Sequence, residues 1–389
     1  MLRILVILLI LLPQQNVFCQ LDMDFAKTDK HALKTPRSIE NNLPRLVDYL
    51  SEKALDDFQK VRGFYVWMTK NIDYDNDAIE PNSKRINHTN QDVLNRKKAV
   101  CQGYSNVFKE MCQLSNIRCE VIVGYPKTPR EAKPNLNKAN HTWNAVLLNK
   151  KWYLLDATWG AGNANAYLED YFLPAPEAFI LDHLPNDPMW QLLNCPIDAK
   201  VFQKTEKTIT NHIQQQKTCF DFQDSIEQFL SLPIQERRLK NARNAYQFNP
   251  VEENKSYLGS KYMDKVTYLS DLSYEFEIQD SIETVKALQL EIIETYEIAS
   301  KYMELFSNQR ENLAYTHFNY AVALSREIPE LESEKNATAI VESYKRMLHH
   351  FETGKSILAE VPPNALSENG LKQFDEYIEY VQSMLEIYQ

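Results

Sequence analysis

Two β-patterned segments, His141 to Leu148 and Trp152 to Trp159, are separated by only Asn149-Lys150-Lys151. A connection that short closes a β-hairpin, and a hairpin fixes register. With Asn149 and Lys150 as the turn, Leu148 faces Lys151, Trp143 faces Asp156 and His141 faces Thr158. Asp156 then lies one diagonal step from His141 on the same face, within side-chain reach. An imidazole and a carboxylate are thereby placed together before anything else about the chain is known.

The surroundings of the hairpin read as α+β. Residues 46–71 are helical, with Leu46, Leu50, Leu55, Phe58, Val61, Tyr65 and Met68 at roughly helical spacing. Pro81 to Asn95 is turn-rich. From Val100 to Leu114 the stripe Cys101, Tyr104, Phe108, Met111 and Cys112 marks one face of a helix. Cys119 to Tyr125 alternates and is rich in Val and Ile, as a strand is, and Pro126 to Asn140 is a loop. Pro174 to Pro196 is proline-punctuated and is expected to wrap the core irregularly, while residues 20–45 read as an extended lead-in. From Ser225 onward helical patterns dominate. A weak repeat at offset 55 matches Leu269-Ser270 to Leu324-Ser325, Met263 to Phe318 and Tyr296-Glu297 to Phe351-Glu352, with Ala299 against Gly354. Each unit would be a helical hairpin, similar to tetratricopeptide repeats; chance likeness between amphipathic helices is the alternative.

Composition removes several function classes. Only 8 of the 389 residues are glycine, and neither G-x-G-x-x-G nor G-x-x-x-x-G-K-[ST] occurs, so the usual nucleotide-binding loops are absent. Five of the glycines fall between Gly63 and Gly162. Gly103, Gly160 and Gly162 are expected where backbone approaches substrate or turns sharply. Residues 20–200 carry no net charge and 201–389 a net of −11, within a total of −10. An acidic chain without basic clusters is a poor partner for nucleic acid or an anionic membrane. The domain reading is a signal peptide at 1–19, the lead-in at 20–45, a first domain at 46–200 and a helical region at 201–389, with a protein partner for the helices left open.

The first residues form a targeting segment: Arg3, an apolar run from Ile4 to Leu12, Pro13, and cleavage after Cys19. Bulky Phe18 disfavours lipoprotein anchoring through Cys19. No later stretch is long and apolar enough to span a bilayer, so an exported chain is expected. Five cysteines remain after cleavage, an odd count that leaves a thiol unpaired and leaves any pairing among Cys112, Cys119, Cys195 and Cys219 open. No tetrahedral zinc spacing occurs.

Cys101 opens its helix, where the macrodipole and uncapped N–H groups stabilise a thiolate and can act as oxyanion donors. Gly103 leaves the first turn without a side chain. A cysteine at a helix N-terminus, with a histidine and an aspartate on one later hairpin, makes a nucleophile, a base and an orienter; the carboxylate is expected to accept from the histidine Nδ1–H. A buried structural cysteine, a surface histidine and a strand-edge carboxylate are the bland alternatives.

The segments Ala99-Val100-Cys101-Gln102-Gly103-Tyr104-Ser105, His141-Thr142-Trp143-Asn144 and Trp152-Tyr153-Leu154-Leu155-Asp156-Ala157-Thr158-Trp159-Gly160 together resemble the transglutaminase-like superfamily, and within it bacterial relatives of the kyphoscoliosis peptidase. Trp67 to Asp75 and Tyr171 to Leu193 fit the same branch, so the resemblance covers roughly 46–200. It implies a papain-like core, a cysteine helix packed on an antiparallel sheet, followed here by the all-α region. Cys101 would be the nucleophile, His141 the base and acid, and Asp156 the orienter. The Cys101 N–H would be one oxyanion donor, with Trp67 a loose candidate for the second. Gly103, Tyr104 and Trp143 would frame the substrate cleft, with Trp152 and Trp159 packing nearby, and no cofactor or metal is expected. The implied activity is a cysteine-dependent peptidase or amidase on protein or peptide substrates; crosslinking by transamidation and a non-catalytic scaffold are the alternatives. A glycan on Asn140 of the sequon Asn140-His141-Thr142 would crowd the base, which points to a bacterial periplasm or exterior.

Overall fold

The computed structural model describes residues 23–80, 89–128, 133–162, 169–279 and 281–388; the expected signal peptide and Cys19 lie outside them. The chain divides into two compact units, Met1–Gln228 and Phe229–Gln389. The expected boundary at residue 200 is therefore too early. Phe202 and Ile209 are buried, Cys195 and Cys219 form a disulfide, and Arg118 holds Glu227 at 2.8 Å. These ties keep the chain to 228 with the first unit.

The first unit is built on a four-stranded antiparallel sheet, ordered Lys151–Leu155, His141–Leu148, Cys119–Pro126, His183–Pro185. The turn residues Asn149 and Lys150 both have positive φ, 46° and 64°, and Leu148 pairs with Lys151 as the short connection requires. The second strand is shorter than expected. Pairing ends at Asn144 with Leu155, so Asp156 and Thr158 do not enter the ladder. Instead the Asp156 carboxylate accepts from the Thr158 and Trp159 N–H groups and caps a helical turn, Ala157–Gly160.

The helix Cys101–Leu114 packs on the two inner strands, with Tyr104, Phe108, Met111 and Cys112 fully buried. Thr142 and Asn144 meet it from the sheet through Ser105, while Trp143, next in sequence, packs on Phe179 from the Pro176–Phe179 turn. The central strand is thus covered on both faces. The proline-rich stretch also supplies the edge strand His183–Pro185.

Two helical readings change. The expected helix at 46–71 is two, Leu43–Ser51 and Asp57–Asn71, because Asp56 caps the second by accepting from the Gln59 N–H. Leu55, counted in the apolar stripe, falls in the break and is 88% exposed. The lead-in is likewise not extended: Ala26–Ala32 is helical and lies against the second helix, where Arg62 makes two bonds to Asp29 and two to Glu169. That guanidinium is almost fully buried, which costs little only because both carboxylates neutralise it.

The second unit consists of the helices Ile234–Phe248, Glu252–Ile278, Ile282–Ser300, Ser307–Ser325, Ile328–Ser333, Ala337–Ala359 and Ala365–Tyr388. The offset-55 matches fall on corresponding helices of two successive hairpins, 252–278 with 282–300 and 307–325 with 337–359. Leu269, Leu324, Tyr296 and Phe351 are all buried in one apolar cluster. Among the described residues no helix is long and apolar enough to cross a membrane.

Candidate active site

Cys101 is the first residue of its helix, and Val100 at the cap has no side-chain oxygen to accept from the first-turn amides. The sulfur lies 4.0 Å from the Asn140 carbonyl, beside the start of the strand that carries His141. A two-residue parallel bridge, Asp73 with Lys98 and Tyr74 with Ala99, fixes the segment leading into the helix, and the Asp75 N–H donates to the Ala99 carbonyl.

His141 is buried and its Nε2 lies 2.6 Å from Asp156 Oδ2. The expected contact is made through the other ring nitrogen than Nδ1. The reason is placement: Nε2 is the ring nitrogen farther from the backbone, and it reaches the carboxylate at the end of the neighbouring strand. Asp156 reaches this position from the end of the neighbouring strand, its own N–H donating to the Tyr171 carbonyl.

The electrostatics reinforce one another. Burial opposes ionisation of the Cys101 thiol, but the hydrogen bond and charge of His141, with Thr142 adding to them, hold it below the ordinary thiol value. Burial disfavours a charged His141, yet the Asp156 carboxylate outweighs it and the imidazole is pushed up to about 10. Burial would likewise raise Asp156; the charge and hydrogen bond of His141, and then those of His183, keep it well below the usual carboxylate range. A thiolate facing an imidazolium is the state this arrangement favours.

The remaining expected site residues sit behind this group. Gly103 faces inward, where a Cβ would come within 2.8 Å of the Ala99 Cβ and 3.2 Å of Val93. Tyr104 is fully buried and its hydroxyl donates to the Ile72 carbonyl. Trp143 is 1% exposed and packs on Phe179 and His183. All three are core, because the helix and strand turn those positions away from solvent. Trp67 is core as well, with the Lys97 ammonium over its ring.

The open cleft is elsewhere: about 600 Å³ lined by Lys70, Asp73, Tyr74, Trp159 and Gly162, with His141 at its base. Gly162 takes φ 55°, a turn that favours glycine. Tyr74 is 38% exposed, and burial together with the charges of Cys101 and Asp156 raises its phenol above the ordinary value. The segment Trp67 to Asp75 carries this residue, but its pattern gives no hint that Tyr74 lines the cleft with His141. His183 was equally hidden: a single histidine in a three-residue edge strand has no periodicity to betray it.

His141, Asp156 and His183 offer three ligating atoms within 4.8 Å of one another. Asp156 Oδ2 already takes both imidazoles, so a metal there would have to displace those protons. Among the described residues Cys101, Cys112 and Cys119 carry free thiols, the last two buried.

Residues 44–157 match the family model of the transglutaminase-like superfamily. The kyphoscoliosis peptidase of Mus musculus is 31% identical over 191 residues, covering 46% of this chain and 28% of that protein. The human kyphoscoliosis peptidase is 32% identical over 189 residues, with the same shares. The Lim and transglutaminase domain protein of Caenorhabditis elegans is 29% identical over 202 residues, covering 46% and 27%. The chain thus spans little more than a quarter of the length of these relatives. Residues 44–157, which carry Cys101, His141 and Asp156 on a cysteine helix and an antiparallel sheet, form a transglutaminase-like domain.

Proposed function

We propose that the first unit is a cysteine-dependent hydrolase of amide bonds in protein or peptide substrates. The observation that carries this is the buried Asp156–His141 pair beside a half-buried cysteine at a helix N-terminus, with His141 lining a cleft. In the reaction the Cys101 thiolate attacks the amide carbonyl carbon, forming a C–S bond and an oxyanion. The Cys101 N–H donates to that oxyanion, and Tyr74, which lines the cleft with His141, supplies its hydroxyl as the second donor. The C–N bond then breaks as His141 gives its proton to the leaving amine, leaving a thioester. His141 next takes a proton from water, the hydroxide attacks the thioester, and the acid and the thiolate are released. An amine in place of water would give crosslinking instead; the peptidase names of two relatives favour hydrolysis.

The Cys195–Cys219 disulfide supports export to an oxidising compartment. A mixture of peptides with an added fluorescent amine, read by mass spectrometry, tests the activity directly. Peptide cleavage that disappears in Cys101→Ala supports hydrolysis, whereas amine incorporation without cleavage selects transamidation. Neither reaction, together with a Cys101 thiol that alkylates only at ordinary thiol pH, would overturn the proposal.

A further inference from the structure

The Asp156 carboxylate is held from two sides. Its Oδ1 accepts from the Thr158 and Trp159 N–H groups, at 2.7 and 3.2 Å. Its Oδ2 lies 2.6 Å from His141 Nε2 and 3.1 Å from Nε2 of a second imidazole, His183. The other nitrogen of His183, Nδ1, lies 2.5 Å from Asp182 Oδ1, and the Tyr171 hydroxyl donates to Asp182 Oδ2 at 3.2 Å. The mechanism above makes no use of His183.

The ring of His183 is fully buried and fixed on all sides. It stacks on Phe179, with centroids 4.1 Å apart and planes at 18°, and Trp159 and Trp143 meet it edge-on at 4.5 and 5.1 Å. Its backbone pairs with Pro126 at the sheet edge. The titratable and charged groups facing it are Asp156, Asp182, His141 and Tyr171. Lys127, whose N–H donates to the Asp182 carbonyl, turns its ammonium away to the carbonyls of Phe202 and Lys204. A carboxylate only accepts, so the His183 nitrogen facing Asp156 Oδ2 donates to it, and the ring is held between two carboxyl groups.

We propose that His183, anchored by Asp182, is a positioning residue that locks Asp156 and thereby sets the thiolate–imidazolium state of Cys101 and His141. With donors on both oxygens the carboxylate cannot rotate, so Oδ2 stays on His141 Nε2 and the imidazole keeps its orientation beside Cys101. The hydrogen bond from the ring, in a site closed to water, favours the ionised carboxylate and, beyond it, the thiolate. The inference rests on the reading of Cys101 and His141 as the reacting pair.

The test is the pH dependence of Cys101 alkylation by iodoacetamide in the full chain, followed by mass spectrometry of the Cys101 peptide. His183→Phe keeps the ring packing and removes the donor; it should slow labelling about tenfold at neutral pH and shift the midpoint upward, as losing a hydrogen bond to a charged group implies. His183→Gln, which retains an N–H for Oδ2, should recover most of the rate. Asp182→Asn, at a partly exposed position, should move the midpoint in the same direction by less. A folded His183→Phe protein with the wild-type midpoint would overturn the proposal. If that variant does not fold, an unchanged midpoint in Asp182→Asn does so instead. A wild-type Cys101 that titrates as an ordinary thiol defeats the catalytic reading itself, and is recognised because it appears without any substitution.

Discussion

The two units bury different things. The first encloses Arg62, Asp75, His141, Asp156, His183 and Asp187 among its apolar side chains, and holds all five tryptophans of the chain between Trp67 and Trp190. The second is held by a cluster of leucine, isoleucine, tyrosine and phenylalanine that repeats from one helical hairpin to the next. Its glycines serve packing: a Cβ on Gly354 would stand 2.8 Å from the Ala314 carbonyl and from Phe374. In the first unit a Cβ on Gly160 would strike the Tyr65 hydroxyl at 2.0 Å. Buried polar groups demand particular partners and so specify a single arrangement, whereas an apolar helical stack specifies spacing. The first unit should therefore break at points and the second by degrees.

Experiments can set these halves against each other. Cys101→Ala should remove activity by ~10,000-fold or more while the melting temperature moves by only a few degrees, since the residue is half-buried and supports little of the core. Asp156→Asn should also lower turnover by ~10,000-fold, by analogy with other triads, and in addition destabilise the first unit by about 3 kcal/mol in chemical denaturation. The amide would present N–H groups to donors that need an acceptor.

In the second unit Phe351→Ala should cost about 3–5 kcal/mol, read by the helical signal in circular dichroism, because the side chain is fully buried between Phe318 and Phe374. Gly103→Val should cost about 1–3 kcal/mol by overpacking Ala99 and Val93, with thermal melting falling before any change in KM. That outcome reverses the expectation that Gly103 borders substrate.

The smallest effect is in pH, and only the first unit has a group whose contribution is lost on the alkaline side. His317 and His350 meet at 2.9 Å, and burial followed by neighbouring histidine charge lowers both to about 4. Their contribution is present above the unfolded value of ~6.5 and is lost as pH falls through that value toward 4. His141 is raised to about 10, so its contribution is full below ~6.5 and fades as pH climbs through 10. Asp156 is depressed; its contribution holds above ~4 and is lost only in stronger acid. Tryptophan fluorescence, which sees the first unit alone, should weaken at the alkaline end, and helical circular dichroism at the acid end. A loss of both signals together at either end would erase the contrast.

The two-residue turn, the helix start at Cys101 and the nearness of His141 to Asp156 were legible in the sequence, because each depends on local geometry. What it hid depends on contacts far apart in the chain. His183 is brought to Asp156 by an edge strand 27 residues on, and Tyr74 to the cleft by a two-residue bridge. The apolar stripe through Leu55 misled because a capping aspartate, one residue later, restarts the helix with a different phase. Gly103 misled because its position in the first turn says nothing about which way that turn faces.

Asp156 ends a strand, starts a helical turn and holds two imidazoles with one pair of oxygens. Its replacement would disturb chain direction, local packing and both imidazoles at the same moment, so this position has almost no neutral neighbours in sequence space. A change at half-buried Cys101 would instead leave the architecture around it standing.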